Sequence, residues 1–332
     1  MTATTKEELP LLQRAPHTPH AKTNHATWTQ RFHVPTRLQG MLLVAFSAFT
    51  FSLLSTLIKY ASYSMTSMET VFWRSFVAWV LNLIAMRVCN VSLKVKRRFW
   101  PVLATRCTFG FCSLSLGFYA MQQMVLADAS VLIFTSPVMT FFLGALVLHE
   151  RIDPINLGCA LFSFVGVICV SRPTFIFGQD EAASDSHAPV FAVVCALMAA
   201  ASQAVVYVSM RRLKQLHVMV VINYFLLTGT VVSALSLAFV QQTFTIHLSI
   251  SVWLAVLGTG FFGFIGQLFL TRGFQLENAG TASVMRYLDV VFVFLWDMTL
   301  LHETISIWSA VGALIICACA IIIVLRRMNH HH

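Results

Sequence analysis

The sequence predicts an all-α polytopic membrane protein with ten transmembrane helices in two inverted five-helix repeats, and three observations carry that expectation. First, 58% of the 332 residues are hydrophobic and 11% charged, whereas soluble domains hold roughly 45–50% apolar and about 25% charged residues. Mean hydropathy is +0.76. Second, apolar stretches of about 20 residues, the length that crosses a bilayer, recur ten times. Third, Lys and Arg concentrate in alternate connecting loops, as they do on the cytoplasmic side of membrane proteins. A soluble protein is excluded. The net charge of +9 follows from topology, so nucleic acid is not expected as a partner.

Residues 1–38 form a polar, His-rich tail with no apolar core before Met41, so no cleavable signal peptide is expected and the first helix directs insertion. Within the tail, Glu7-Glu8-Leu9-Pro10-Leu11-Leu12 resembles an acidic dileucine sorting signal, which points to endosomal or vacuolar delivery. Helix 1 (39–61) carries a polar stripe, Ser52, Ser55, Thr56 and Lys59. Helix 2 (68–88) holds Arg74 at membrane depth. Helix 3 (100–120) places Arg106, Gly110, Ser113 and Gly117 on one face. Helix 4 (125–148) and helix 5 (155–171) close the first repeat, 39–171, with Glu150 between them. The segment 172–188, rich in Ser, Asp and Ala and flanked by Pro173 and Pro189, is the linker.

The second repeat, 189–325, opens with helix 6 (189–210), which bears Gln203 and Tyr207. Helix 7 (219–240) follows with Asn223 and Tyr224. Helix 8 (248–270) has the small-residue stripe Thr259, Gly263 and Gly266, with Gln267 beside it. Helix 9 (277–300) contains Arg286, Tyr287, Asp289 and Asp297. Helix 10 (304–325) precedes a short tail, 326–332. With both termini cytoplasmic, the inner segments hold 17 Lys and Arg residues and the outer segments two, Lys59 and Arg172. A missed or extra helix would scramble that bias.

The halves are related by a shift of 153 residues. Ala129-Ser130-Val131 aligns with Ala282-Ser283-Val284, and Leu148-His149-Glu150 with Leu301-His302-Glu303. Five helices per half is an odd number, so the second half enters the membrane in the opposite sense. Many secondary transporters share this architecture, with the substrate site near the midplane between the halves.

These features resemble the drug/metabolite transporter superfamily and its EamA-type members. The resemblance rests on the five-plus-five count, the Leu-His-Glu junctions after helices 4 and 9, the Arg106…Gly110 spacing and Ser136-Pro137-Val138. The run Met285-Arg286-Tyr287-Leu288-Asp289-Val290-Val291-Phe292 looks most like the G-type members of the solute carrier 35 family. Val290 stands where the family's helix 9 carries a proline. The Gly-Ala-x-Asn-Lys motif associated with sugar-nucleotide carriers is absent. The resemblance implies a carrier with a small-molecule substrate.

Ionisable side chains inside a bilayer are costly and mark function by default, so Arg74, Arg106, Arg286 and Asp289 are the first site candidates. Arg286 and Asp289, three apart on one helix, form either a neutralised structural pair or an anion site with its counter-charge. Gln203, Tyr207, Asn223, Gln267 and Tyr287 supply hydrogen-bonding groups that orient ligands in pockets. Glu150 and Glu303 read as caps for helices 5 and 10; Asp128 and Glu277 favour the positive ends of helix dipoles. The eight cysteines show no metal-ligand spacing and read as packing residues, and no cofactor is expected. The inverted repeat and the resemblance imply a secondary transporter working by alternating access, and the three deep arginines point to an anionic or zwitterionic metabolite, a carboxylate or amino acid. The alternatives are a nucleotide-sugar carrier and a membrane-embedded acyl-transfer enzyme. No His-Glu-x-x-His or Gly-x-Ser-x-Gly motif supports the enzyme. The expected location is an integral protein of the plasma membrane or an endomembrane.

Overall fold

The structure is a computed structural model that describes residues 36–61, 65–173, 176, 190–241, 249–300 and 307–329. The dileucine segment, most of the linker, Glu303 and the side chains of Lys59 and Asp297 lie outside the described residues. The first repeat consists of α1 (Thr36–Ala61), α2 (Ser67–Val88), α3 (Trp100–Gln123), α4 (Leu126–Ile133), α5 (Ser136–Leu148) and α6 (Pro154–Ser171). The second consists of α7 (Val190–Arg212), α8 (Val218–Ser236), α9 (Ile250–Leu276), α10 (Ala279–Val284), α11 (Leu288–Leu300) and α12 (Ile307–Asn329). No strand occurs among the described residues.

Among the described residues, nine segments are long and apolar enough to cross a membrane, counting α4–α5 and α10–α11 as one each. The tenth expected span is α3. Its 24 residues reach about 36 Å at ~1.5 Å per residue, enough to cross. Its hydropathy is lowered by Arg106, Ser113 and other polar residues. The buried face of α3 includes Arg106, Gly110, Ser113 and Gly117, the stripe read from the sequence, and this face packs on α7.

Helix ends follow local chemistry. Thr66 Oγ1 accepts the Glu69 N–H at 3.3 Å while Glu69 Oε2 accepts the Thr66 N–H at 3.0 Å, a capping box that starts α2. Asp153 accepts the Ile155 N–H at 3.0 Å and Pro154 occupies the first turn of α6. Along α1, Ser52, Ser55 and Thr56 donate back to carbonyls of their own helix, which satisfies those hydroxyls within the membrane.

Packing repeats the symmetry of the sequence. α1 lies along α9 and α3 along α7; α2 meets α8 and α6 meets α12. The α1–α9 contact is close because Gly266 and Gly273 of α9 face Phe51 and Val44 of α1. α6 and α12 touch through Gly166 and Gly312, where a Cβ on Gly312 would stand 2.4 Å from the Gly166 carbonyl oxygen. Small residues allow membrane helices this approach, and dispersion across it holds them.

Two expectations are corrected. The sequence reads helices 4 and 9 as continuous, whereas each is broken. The first breaks at Phe134–Thr135; the second passes through a 3₁₀ turn at Met285–Tyr287. The shift of 153 carries Phe134 onto Tyr287, so the breaks are equivalent. In the first half Pro137 removes an amide and crowds the preceding turn. In the second half Val290 takes that position, and the break persists in a segment, α10, whose six residues are all buried. The second correction concerns Glu150. Rather than capping helix 5, its Oε2 accepts the Ala279 N–H at 3.0 Å, so it caps α10 in the opposite repeat.

That end of the bundle carries three ion pairs: Glu150–Arg211 at 3.1 Å, Asp153–Arg326 at 3.0 Å and Glu277–Arg327 at 2.5 Å. The Asp153–Arg326 and Glu150–Arg211 pairs cross between repeats; Glu277, fully buried, holds the α9–α10 junction to the end of α12. Arg211 also donates to the Gln275 carbonyl at 2.8 Å.

Two outcomes follow from this packing. Gly312→Ala places a methyl group against a backbone carbonyl that cannot yield, so it lowers stability by about 1–3 kcal/mol in thermal unfolding of the detergent-purified protein. Gly158→Ala, where a Cβ meets nothing within 4 Å, leaves the melting temperature unchanged or raised. Burial opposes ionisation of Asp153, but hydrogen bonds from Arg326 and the Ile155 amide outweigh it and hold the carboxyl below its ordinary value. Its stabilising contribution is therefore complete above the unfolded pKa of about 3.9 and disappears as pH falls through the lower folded value. The melting-temperature gap between wild type and Asp153→Asn should be present at pH 7 and shrink below about pH 4.

Candidate substrate cavity

Helices α1, α2, α3, α8 and α9 converge on a central cavity whose wall includes Phe51, Arg74, Ser75, Phe225, Gly263 and Gln267. Its volume is about 20 Å³, room for one or two waters. A metabolite enters only if the surrounding helices part.

Arg106, with 2% of its surface exposed, lies behind this wall, against Gln267 and Phe225. Its Nη2 donates to Gln267 Oε1 at 3.2 Å, and its guanidinium carbon lies 4.0 Å from the centroid of the Phe225 ring. Nε and Nη1 are buried with no hydrogen-bond partner among the described residues. Gly110 makes this arrangement possible, since a Cβ there would stand 2.6 Å from Arg106 Nη1 and 2.8 Å from the Phe225 ring. The Arg106…Gly110 spacing thus reserves space for a guanidinium folded back along its own helix.

Arg74 reaches the cavity from α2, its methylene stem lying 3.6 Å from where a Gly263 Cβ would be. It makes no ion pair among the described residues. Arg286 and Asp289 occupy the break in helix 9 and pair at 2.9 Å. The Arg286 guanidinium also lies 5.0 Å from the centroid of Phe51. Phe51 and Phe225, the rings that carry Arg286 and Arg106, are both part of the cavity wall. Arg286 Nη1 and Asp289 Oδ1 remain without partners.

Tyr287 is fully buried, its hydroxyl has no partner, and its ring meets that of Phe134 at 6.3 Å between centroids. The two residues at equivalent breaks thus face each other. Tyr207 stacks on Phe274 at 4.3 Å and lies within electrostatic reach of Arg106, Arg286 and Tyr287.

Of the nine candidates, Arg74 and Gln267 are part of the cavity wall, whereas Gln203 and Asn223 each join two helices. Gln203 Oε1 accepts from Ser113 at 3.1 Å, joining α7 to α3. Asn223 Oδ1 accepts from Trp79 Nε1 at 3.1 Å, joining α8 to α2. Sequence reasoning did not single out Phe51, Phe225 or Ser75. With 28 phenylalanines in the chain, no periodic signal separates the two that carry Arg106 and Arg286.

The four charged side chains of this layer are three guanidiniums and one carboxylate, an excess of two positive charges. In a low-dielectric setting such an excess attracts anions strongly.

The family model of the EamA-like transporter family matches residues 38–172 and again 190–325, and the chain belongs to that family. It is 32% identical over 282 residues to the pseudopaline exporter CntI of Pseudomonas aeruginosa, covering 84% of this chain and 94% of that protein. It is 30% identical over 288 residues to human solute carrier family 35 member G1, covering 84% and 77% of the two chains. A solved crystal structure superposes with a TM-score of 0.74 over 87% of this chain and 98% of the other at 20% identity, a likeness of fold. The family and these named relatives are transporters, so this chain is an integral membrane transporter and not an enzyme.

The Gly110 geometry sets a double-mutant test. Gly110→Ala displaces the Arg106 side chain and destabilises the protein by about 1–3 kcal/mol. Arg106→Ala in the same chain relieves part of that loss, so the two changes are non-additive in thermal unfolding.

Proposed function

We propose that this EamA-family transporter is a secondary carrier of a small anionic or zwitterionic organic metabolite, a carboxylate or amino acid, working by alternating access. The observation that carries the reading is the charge of the central layer. Arg74 and Arg106 have no carboxylate partner among the described residues, and Arg106 keeps two buried nitrogens unbonded. A carboxylate placed between them gains charge-assisted hydrogen bonds and supplies the missing counter-charge. A neutral solute leaves the guanidiniums as they are.

The packing is compatible with the following transport cycle. Substrate entry moves the Phe51 and Phe225 rings from the small cavity and brings the solute to the guanidiniums behind the wall. The end that carries Glu150–Arg211 and Glu277–Arg327 faces the cytoplasm, because the basic loops gather there, and both termini lie on that side. Rocking of the two repeats releases the Glu150 cap on α10 and opens this end. The Asp289 carboxylate then competes for Arg286 and favours departure of the anion.

Uptake into vesicles containing the purified protein tests the reading against a panel of carboxylates, amino acids, neutral solutes and nucleotide sugars. Saturable uptake of a carboxylate or amino acid is expected. Arg74→Gln and Arg106→Gln should each reduce it by about 10- to 100-fold, the equivalent of one charged hydrogen bond, with elution as a monodisperse protein as the folding control. Uptake confined to neutral solutes or nucleotide sugars, unaffected by either change, would overturn it.

A further inference from the structure

A second pocket, of about 270 Å³, lies at the end of the bundle where α2 leads into α3 and α7 into α8. Its wall includes Lys94, Lys96, Arg98, Gln215 and His217. The sequence explains why the cations gather on one side. Residues 91–96 form an irregular connection, in which Val95 separates Lys94 from Lys96, and Arg98 follows in a 3₁₀ turn. Val95 and Phe99 pack onto the apolar cluster of Leu103, Leu213 and Val221, which anchors the connection. Arg98 Nη2 donates to Gln215 Oε1 and ties the connection to the 213–217 turn.

Neither connecting segment, 89–99 nor 213–217, contains Asp or Glu. The Lys94 and Lys96 side chains make no ion pair among the described residues. The first turn of the 19-residue α8 also borders the pocket, through His217 and Val220, and its positive dipole end favours anions. The pocket thus presents three permanent cations with no internal counter-charge. A lone carboxylate or a singly charged headgroup would leave most of that charge unmatched.

An independent feature locates the pocket relative to the bilayer. Trp100, 45% exposed, packs edge-on against Tyr224 at 5.2 Å, and the Tyr224 hydroxyl donates to the Leu93 carbonyl at 3.4 Å. Exposed Trp and Tyr gather at the headgroup level of membranes. Leu93 immediately precedes the pocket's Lys94 in the chain, so the basic wall stands at the depth of lipid phosphates. Basic pockets between helices at this depth hold phosphorylated headgroups.

We propose that this pocket binds a multiply phosphorylated inositol headgroup, supplied by a lipid of the adjoining leaflet. Lys94, Lys96 and Arg98 contact the phosphates, and the Trp100–Tyr224 pair seats the glycerol end at the interface. The shared chemistry is that of clustered phosphate groups; the aromatic pair selects the lipid over a soluble inositol phosphate. The proposal is independent of the transported solute.

The test uses the full chain purified in detergent, with lipid retention read by native mass spectrometry and no transport measurement. Phosphatidylinositol bisphosphate, phosphatidylserine, phosphatidylcholine and soluble inositol trisphosphate are compared. Lys94→Gln/Lys96→Gln should weaken bisphosphate retention about 25-fold, near fivefold per cation. Arg212→Gln/Lys214→Gln removes the same charge at the same end outside the pocket wall and should change retention less than about threefold. Equal losses in the two double variants would assign binding to the general basic field and overturn the site. Phosphatidylserine retained as well as the bisphosphate would overturn the headgroup class, and soluble inositol trisphosphate held as tightly as the lipid would overturn the lipid source.

Discussion

Backbone amides and carbonyls at membrane depth find no partner in lipid, and this constraint organises the rest of the molecule. A helix that breaks inside the bilayer is tolerated only where protein encloses it. The break in helix 9 obeys that rule. α10 is buried along its whole length, and its first-turn amide, which has no partner within the helix, donates to Glu150 of the other repeat. The breaks then place irregular backbone at the centre of the fold, with Phe134 and Tyr287 facing each other across it. Arg286 and Asp289 stand at the second break because it lies next to the protein interior and not the lipid.

Close helix approach is the second condition. Arginine is the bulkiest way to bring charge into a membrane interior, and each of these guanidiniums needs space that neighbouring side chains would otherwise fill. Gly110 clears it for Arg106. Phe225 and Phe51 then cover Arg106 and Arg286 with ring faces, which are electrostatically favourable to cations. Glycines that serve helix packing elsewhere, as at Gly166 and Gly312, here serve charge burial.

The architecture was legible in the sequence because it rests on long-range signals: ten apolar stretches, the alternation of basic loops and a 153-residue repeat. The face of α3 with Arg106, Gly110, Ser113 and Gly117 was legible because helical periodicity alone defines it. The breaks were not, since α4–α5 and α10–α11 each read as one membrane-length stretch and the second break has no proline. The partner of Glu150 was hidden for another reason. A local reading assigns a carboxylate to the nearest helix start, whereas its acceptor role is satisfied 129 positions away in sequence. Asn223 and Gln203 illustrate the same limit, because composition cannot tell an amide that lines a cavity from one that joins two helices.

The short α10 connects these features mechanically. Its first residue hydrogen-bonds Glu150, and its last leads directly into the turn that holds Arg286. Six residues of helix span about 9 Å, so the capped end and the arginine belong to one rigid piece. Glu150 in turn is held by Arg211, which also grips the end of α9 through the Gln275 carbonyl. A displacement of α10 that moved Arg286 would therefore have to break the Glu150 hydrogen bond or carry the Arg211 cluster with it. A packed helix of this length has few intermediate positions, because interiors are bistable and not continuously deformable. The ion pairs at the end of the bundle and the charged layer at its centre thus form one coupled unit, joined by an element too short and too buried to bend.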